Sequence, residues 1–116
     1  MPPEDAIRIR HMIDAAEITQ RFIAGRQRGD LDGNQMLLFA LVRAVEIIGE
    51  AASRVTPETR SASPNVPWPA IVAMRNRLIH AYYDIDGDIL WKAVTEEVPE
   101  LLGLLSATLP KDPDAA

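Results

Sequence analysis

The fold is decided by the stretch NQMLLFALVRAVEIIGEAASRV, which runs from Asn34 to Val55. Asn34 is a favourable N-cap residue, and the apolar positions after it predict one helix that ends at about Val55. Apolar side chains cover nearly all faces of this helix, and a helix of that kind must be deeply buried. One face would still meet water in a small bundle, so the surplus apolar surface predicts that a second copy covers it in a homodimer.

Glu46 and Glu50 interrupt the apolar pattern of this helix. A carboxylate among apolar side chains requires a partner of opposite charge, because taking an unpaired charge out of water is costly. An arginine of the same subunit or of a second subunit is the expected partner.

Helical patterns also flank this stretch, and neither a hairpin signal nor sustained strand alternation is present. The predicted segments are a helix from about Glu4 or Asp5 to about Arg26, a turn-rich linker over 29–34, a short helix with Thr56 as its cap and Pro57 at its first position, a helix from about Trp68 to Tyr82 or Tyr83, a helix from Asp88 to Glu97, and a last helix from Pro99 to about Leu109. The fold class is therefore all-α, an antiparallel helical bundle. We expect residues 1–116 to form a single domain, with a core over about 5–109 and a frayed acidic tail from Pro110.

The composition excludes several kinds of site. The chain has 116 residues and no cysteine, which rules out disulfides, a thiolate nucleophile and a cysteine-ligated metal. Neither G-x-x-x-x-G-K-[ST] nor G-x-G-x-x-G occurs, so a conventional nucleotide-binding loop is not indicated. Asp84, Asp86 and Asp88 alternate but lack the later glutamate of a calcium loop, and a solvated acidic turn is the simpler interpretation. We expect neither a metal nor a cofactor.

Charge is distributed unevenly along the chain. The net charge of -5 argues against a non-specific nucleic-acid binder. Residues 84–116 hold eight acids and two lysines, whereas residues 1–83 hold nine acids and ten arginines. Because arginine binds phosphate with two parallel donors, a few placed arginines can still form an RNA site. The polar N-terminus lacks signal-peptide features, and no apolar run approaches the ~20 residues that span a bilayer, so we expect a cytoplasmic protein.

A second informative stretch is MRNRLIHAYY, from Met74 to Tyr83, which contains the pattern R-x-x-x-x-H-x-Y. It places one of the two histidines of the chain shortly after two arginines. An imidazole can move a proton near neutral pH. A guanidinium can stabilise the extra charge on phosphorus as the transition state forms. This combination is what cleavage of a phosphodiester without a metal requires.

Spacing on an ideal helix leaves the geometry of this motif open. Asn76 and His80 are four residues apart and share a face, whereas Arg75 and His80 lie about 140° apart around the helix axis. Convergence of that pair requires Arg75 to reach around, the helix to loosen near Tyr82, or a dimer axis to pass close by. The structural alternative is that Arg75 and His80 only complement the helix dipole and bond to its last carbonyls.

Other conspicuous residues are interpreted as structural. His11, the second histidine, has no comparable neighbourhood in the sequence. Trp68 and Trp91 are expected to be core or interface aromatics, because large rings contribute most when they are buried.

The stretches Ile47–Ala52, Val66–Trp68 and Met74–Asp86 resemble the HepT-like branch of the HEPN superfamily, the higher eukaryote and prokaryote nucleotide-binding domains. The resemblance extends from about Asp5 to about Leu109. It implies an α-helical bundle that dimerises and acts as a metal-independent ribonuclease toxin, with transfer RNA as the favoured substrate. It further implies a type VII toxin–antitoxin system, in which the partner is a minimal nucleotidyltransferase antitoxin.

The resemblance also assigns roles to individual residues. It makes Arg75 and His80 the catalytic pair and Asn76 the polar residue that helps to position them. Tyr82 matches the tyrosine that the partner modifies with AMP, which neutralises the toxin, whereas Tyr83 falls outside the motif. Because some members of the superfamily are non-catalytic, the alternative is a module that binds the nucleotidyltransferase or a nucleotide without turnover. A third interpretation is a structural dimer in which the motif only caps a helix.

Overall fold

The structure, a computed structural model, describes residues 1–81 and 84–109, and the side chains of residues 79–81 are outside this description. Helices dominate the described residues, and the all-α fold class is confirmed. The elements in chain order are α1 (Pro3–Ile23), α2 (Asp30–Gly33), α3 (Gln35–Arg54), α4 (Pro57–Ala62), α5 (Trp68–Leu78), β1 (Ile79–Ala81), β2 (Asp84–Ile85), α6 (Gly87–Lys92), a π-helical turn (Ala93–Glu97) and α7 (Val98–Ser106).

Helix α3 packs between α1 and α5, and side chains fix both of its ends. Asn34 caps it as predicted, since Asn34 Oδ1 accepts a hydrogen bond from Leu37 N at 3.0 Å. At the other end, the guanidinium of Arg60 donates to the carbonyls of Ala52 and Val55 at 2.8 and 3.0 Å. These bonds satisfy acceptors that the end of a helix leaves open.

Burial is concentrated on one side of α3. Leu41, Val45 and Ile48 are fully buried, and each stabilises the fold by roughly 1.5–3 kcal/mol. On the outer side, Met36 and Phe39 are 85% and 46% exposed. Charged side chains replace apolar ones on this outer side in the second half of the helix. The prediction of apolar surface on nearly all faces is therefore wrong for that half.

Asp5 joins the first turn of α1 to the segment that follows α3, so the two helices run antiparallel. Asp5 is 1% exposed and accepts hydrogen bonds from Thr56 N at 3.1 Å, Thr56 Oγ1 at 2.6 Å and Thr59 Oγ1 at 2.5 Å. Burial raises the pKa of this carboxyl, but the bonds from the two threonines outweigh burial and hold the pKa below 3.8. Thr56 precedes α4 as predicted, but its hydroxyl donates to Asp5 instead of capping that helix.

Helix α5 approaches α3 at a glycine. A Cβ added to Gly49 would meet the carbonyl oxygens of Ile71 and Val72 at 3.5 and 3.9 Å, which is ordinary contact. Trp68, at the start of α5, is 4% exposed, and its Nε1 donates to Ser63 O at 3.1 Å. Trp68 is therefore a core residue, as predicted.

The helix that carries the motif ends earlier than expected. Helix α5 ends at Leu78, and the next three residues form β1, which pairs antiparallel with β2. The carbonyl of Leu78 accepts a hydrogen bond from Asp86 N at 2.9 Å, so the chain beyond β2 satisfies an acceptor at the helix end. A β-branched residue also begins the strand, where such side chains are favoured. The expectation that this helix continues to Tyr82 or Tyr83 is therefore wrong.

The last two predicted helices form one helical run over Gly87–Ser106, with the π-helical turn at its middle. Val98 N donates a hydrogen bond to Ala93 O, five residues back in the chain. In the same register, the N–H of residue 99 would donate to Val94 O. Pro99 has no N–H to donate, and Gln20 Nε2 of α1 donates to Val94 O at 2.7 Å in its place. Pro99 is the second residue of α7, so the prediction that it lies at the start of the last helix is confirmed, although the π-helical turn joins α7 to α6 without a break.

The predicted linker contains the one-turn helix α2, whose Leu31 is 3% exposed and belongs to the core. Arg28 precedes α2 and pairs with Asp32 at 3.1 Å and with Asp88 at 2.7 Å. Asp86 caps α6 by accepting two N–H groups of its first turn, each at 3.0 Å. The acidic turn therefore has a structural role, since it starts α6 and ties that helix to the linker.

Two further features complete the described fold. Trp91 is partly buried and packs against the core, in line with its predicted role as a core or interface aromatic.

Among the described residues, no helix combines the length and the apolar character that crossing a membrane would demand.

Candidate functional site

Arg75 lies in the last turn of α5 and reaches sideways to α3. Its Nε is 3.9 Å from Glu46 Oε1, and 52% of its side chain is exposed. Glu46 Oε2 is 3.4 Å from a terminal nitrogen of Arg43, and the same nitrogen is 3.4 Å from Glu50 Oε1. The prediction that arginines partner Glu46 and Glu50 is confirmed, and the partners belong to the same subunit. Exposed ion pairs of this kind contribute about 0–1 kcal/mol, so Arg75 can still bind a ligand through its other donors.

Arg77 is held more firmly than Arg75. Its two terminal nitrogens lie 2.9 and 3.4 Å from the two oxygens of Glu97, a two-pronged pair that joins α5 to the π-helical turn. Of the two arginines before the histidine, Arg77 therefore has a structural partner at close range. Arg75 is the one that remains available at the surface.

His80 lies two residues beyond the end of α5, within β1. Because the helix has ended, the angle of about 140° between positions 75 and 80 of an ideal helix no longer applies. For the same reason, Asn76, which is exposed, does not share a helical face with His80. The side chain of His80 and the whole of Tyr82 lie outside the described residues, and their assigned roles remain predictions.

The direction of Arg75 also bears on the structural alternative. A residue that only completed the end of α5 would direct its guanidinium to the last carbonyls of that helix. The carbonyl of Leu78 instead accepts the N–H of Asp86, and the Arg75 guanidinium lies beside Glu46 of another helix. This geometry favours a role for Arg75 other than capping.

A second group of basic side chains lies where α1 meets the second half of α3. It lines a pocket of about 190 Å³, and the polar residues of the lining are Arg8, His11, Arg43, Glu50 and Arg54. Sequence reasoning missed this group because its members come from two helices distant in the chain. The available signal was spacing, since residues 8 and 11 share one face of α1 and residues 43, 50 and 54 share one face of α3.

The described structure is thus a small all-α bundle with exposed arginines close to a histidine-bearing strand, a class of protein suited to binding phosphate groups. Within residues 1–81 and 84–109, no group of three histidine, aspartate or glutamate side chains is placed to hold a metal ion. The family described as Ribonuclease HepT-like matches residues 12–107. Since this match covers most of the chain, the protein belongs to the HepT-like ribonuclease family, as its motif indicated.

Individual relatives are similar over most of their own length. The chain is 39% identical over 90 residues to a candidate RNase of Methanocaldococcus jannaschii, covering 78% of this chain and 83% of the relative. It is 35% identical over 95 residues to a candidate ribonuclease HepT of Thermococcus cleftensis, covering 82% and 86%. It is 33% identical over 104 residues to a candidate RNase of Caldanaerobacter subterraneus subsp. tengcongensis, covering 90% and 93%. No solved structure gives a significant match.

Proposed function

We propose that the protein is a metal-independent endoribonuclease and the toxin of a type VII toxin–antitoxin system. Membership of the HepT-like family supports the ribonuclease activity. The observation that carries the assignment of the site is the half-exposed Arg75, whose one ion pair to a described residue is a long contact of 3.9 Å with Glu46. Its guanidinium is accessible to a phosphate, and His80 follows on the adjoining strand.

In the proposed reaction, a ribose 2′-oxygen bonds to the adjacent phosphorus while the bond from phosphorus to the 5′-oxygen breaks. His80 accepts the proton of the 2′-hydroxyl, and the partner subunit's His80 gives a proton to the departing 5′-oxygen. Arg75 binds the non-bridging oxygens and stabilises the pentacovalent phosphorane, and Asn76 helps to position the pair. The products are a 2′,3′-cyclic phosphate and a 5′-hydroxyl end.

A homodimer is part of this proposal, because one copy of the motif supplies one imidazole and the reaction uses an acid and a base. Met36 and Phe39 support it, since they are neighbours on the outer side of α3 and are 85% and 46% exposed. Large exposed apolar side chains that adjoin one another are typical of interaction surfaces.

Regulation in the proposal acts through Tyr82. A nucleotidyltransferase partner transfers AMP from ATP to its phenol, which loses its proton as pyrophosphate leaves. The new phosphate pairs with Arg75 and occupies the place of the RNA phosphate. A Tyr82→Phe protein should therefore stay toxic when the enzymatic partner is co-expressed, whereas a Tyr83→Phe protein should be neutralised like the wild type. Growth of cells carrying each pair measures this. If the partner still neutralises the Tyr82→Phe protein, inhibition works by binding and not by modification.

The activity itself is tested with purified, AMP-free protein on total transfer RNA, the favoured substrate, in the presence of EDTA. We expect cleavage with a 2′,3′-cyclic phosphate end, and a loss of about 10²–10⁴-fold in rate for His80→Ala and about 10²–10³-fold for Arg75→Ala. Arg21→Ala, an exposed arginine in the last turn of α1, serves as the control and should cleave like the wild type. Full activity of the Arg75→Ala and His80→Ala proteins would refute the assignment.

A non-catalytic module that binds RNA or a nucleotide is the second candidate. The long, exposed ion pairs of Arg43 and Arg75 favour it, because both guanidinium groups can bind phosphate without any chemistry. A folded wild type that retards RNA in a gel but leaves it intact would establish this alternative. If Arg75→Ala lowers only the melting temperature and changes no RNA phenotype, the motif is structural.

A further inference from the structure

The side chains that line the pocket between α1 and α3 carry a net positive charge. Three guanidinium groups line it, those of Arg8, Arg43 and Arg54, against the single carboxylate of Glu50. Arg43 is shared between Glu46 and Glu50 at 3.4 Å, a distance at which neither pair is tight. The excess of positive charge therefore persists in the folded protein.

Arg8, which lines the pocket, has a buried donor without an acceptor in the described part of the chain. Its Nε is buried and has no hydrogen-bond partner among the described residues. A charged donor taken out of water without an acceptor is costly, and such a group is normally satisfied by a ligand, a water or a protein oxygen. Because Arg8 lines the pocket, an anionic group there would lie near its guanidinium and near those of Arg43 and Arg54, and would offset their charge.

Glu46 links Arg75 to Arg43, a residue that lines the pocket. One oxygen of Glu46 faces Arg75 at 3.9 Å and the other faces Arg43, which lines the pocket, at 3.4 Å. Arg54, which also lines the pocket, is eight residues from Glu46, or about 12 Å along the axis of α3. The basic groups therefore form a track longer than one phosphate group, which suits a chain of phosphates better than a single small anion.

We infer that the pocket lined by Arg8, His11, Arg43 and Arg54 is a phosphate-binding subsite for single-stranded RNA, one or more nucleotides away from the phosphate held by Arg75. This inference rests on the proposed ribonuclease function for the identity of the ligand. The pocket volume of about 190 Å³ is several times the roughly 30 Å³ share of one water molecule, so a phosphate group fits. Backbone phosphate contacts of this kind position the substrate and do not read its sequence.

The test is RNA binding by a His80→Ala protein, which removes the proposed cleavage but leaves the pocket intact. Fluorescence anisotropy with a labelled single-stranded RNA, at salt from about 0.1 M upwards, gives the dissociation constant and its salt dependence. Adding Arg8→Gln and Arg54→Ala should raise the dissociation constant about tenfold and make the salt slope shallower by about 1.4. The matched control is Arg10→Ala, an exposed arginine of α1 that does not line the pocket.

Steady-state cleavage separates this inference from the proposed function. In the otherwise wild-type protein, the same two substitutions should raise KM about tenfold and leave kcat unchanged, because the subsite acts on binding. Arg54→Ala alone, at an exposed position, should give part of the effect even if a change at Arg8 lowers the melting temperature. Wild-type cleavage with an unchanged KM in the double variant, or an equal effect of Arg10→Ala, would overturn the subsite. Absence of cleavage with intact pocket-dependent RNA binding would instead refute the nuclease and leave the subsite standing.

Discussion

At the scale of single residues, the buried carboxylate of Asp5 shows how one side chain can join distant segments. It accepts three hydrogen bonds from Thr56 and Thr59 at 2.5 to 3.1 Å, and it is 1% exposed. Each donor would be left buried without an acceptor if the carboxylate were lost, and unsatisfied buried groups are expensive. Asp5 therefore stabilises both the start of α1 and the start of α4.

Asp5→Asn should lower the free energy of unfolding by about 2 kcal/mol near neutral pH, because an amide cannot accept from all three donors. The pKa of Asp5 is held below 3.8 in the folded protein, so its contribution is present above that pH and disappears as the pH falls through the folded-state pKa. The difference between wild type and variant should therefore be constant at mild pH and shrink in strong acid. Urea denaturation at several pH values measures it.

Glu4→Gln is the control for that experiment, since Glu4 is exposed one residue away in the same turn. It should change the free energy of unfolding by less than about 0.5 kcal/mol. A difference between wild type and Asp5→Asn that grows in acid would contradict the assigned direction of the pKa.

The candidate site shows which residues a sequence can identify and which it cannot. The motif identifies Arg75 and His80, because both lie within one short stretch. The sequence indicates only a structural role for His11, although His11 lies in a pocket with Arg8 and Arg54. That neighbourhood forms only when α1 packs against α3, and no local sequence pattern indicates it. The partner of Glu46 was anticipated because an acid on an apolar helix requires a cation.

At the scale of elements, the boundaries that depend on local chemistry were predicted well. Helix α3 begins after its Asn34 cap as expected, and α1 ends at Ile23, close to the predicted end. The boundaries that failed depend on contacts between distant segments. Helix α5 ends at Leu78, whose carbonyl accepts a hydrogen bond from Asp86 N of the chain after β2, and the sequence contains no hairpin signal for β1 and β2.

At Pro99 the predicted helix start is present, but the helical run continues through it without a break. A proline inside a helix removes one donor and normally breaks or kinks the helix. Here the π-helical turn shifts the register, and Gln20 donates at 2.7 Å to the carbonyl that residue 99 cannot serve. The amide of α1 therefore replaces a missing backbone bond of a different helix.

Gln20 and Pro99 should be energetically coupled. Gln20→Ala should cost about 1–3 kcal/mol, because it leaves Val94 O without that donor. In a Pro99→Ala background, residue 99 regains an N–H, and the cost of Gln20→Ala should fall by about 1 kcal/mol. Chemical denaturation of the four proteins of this double-mutant cycle gives the coupling, with Glu17→Ala as an exposed control on α1. Additivity within about 0.5 kcal/mol would show that the two residues act independently.

At the scale of the whole molecule, the proposed homodimer makes the exposed apolar residues of α3 its interface. A Met36→Lys and Phe39→Asp protein should dissociate with a constant at least about tenfold higher than that of the wild type, because a charge would be buried against apolar surface. Sedimentation velocity measures this, and RNA cleavage should fall in parallel. Circular dichroism should show an unchanged fold, since both side chains point away from the core of the protomer.

Ile7→Asp is the matched control for the dimer, because Ile7 is as exposed as Phe39, at 46%. Ile7 lies near the start of α1, which adjoins the C-terminal end of α3, whereas Met36 and Phe39 lie in the first half of α3. It should leave the association of protomers unchanged. A wild type that sediments as a monomer at all concentrations would remove the dimer from the proposal and require a different source for the general acid.

Ion pairs join residues 1–83, which hold all the arginines, to the acidic residues 84–116. Arg28 pairs with Asp88 and Arg77 pairs with Glu97, so two arginines of the first part are neutralised by acids of the last part. Within residues 84–109, no acid pairs with Arg75 or with the arginines of the pocket, so their positive charge stays at the surface. A molecule with a net charge of -5 thus keeps a locally positive surface.

This arrangement has a consequence for how fast the protein meets a polyanion. At about 0.01 M salt the screening length is roughly 30 Å, so an approaching RNA responds to the net negative charge of the whole protein and is repelled. At about 0.1 M salt the screening length is roughly 10 Å, and only the nearby positive track is effective. The association rate should therefore rise and then fall as salt is added, and the RNA should arrive preferentially on the one face where its phosphates can be bound.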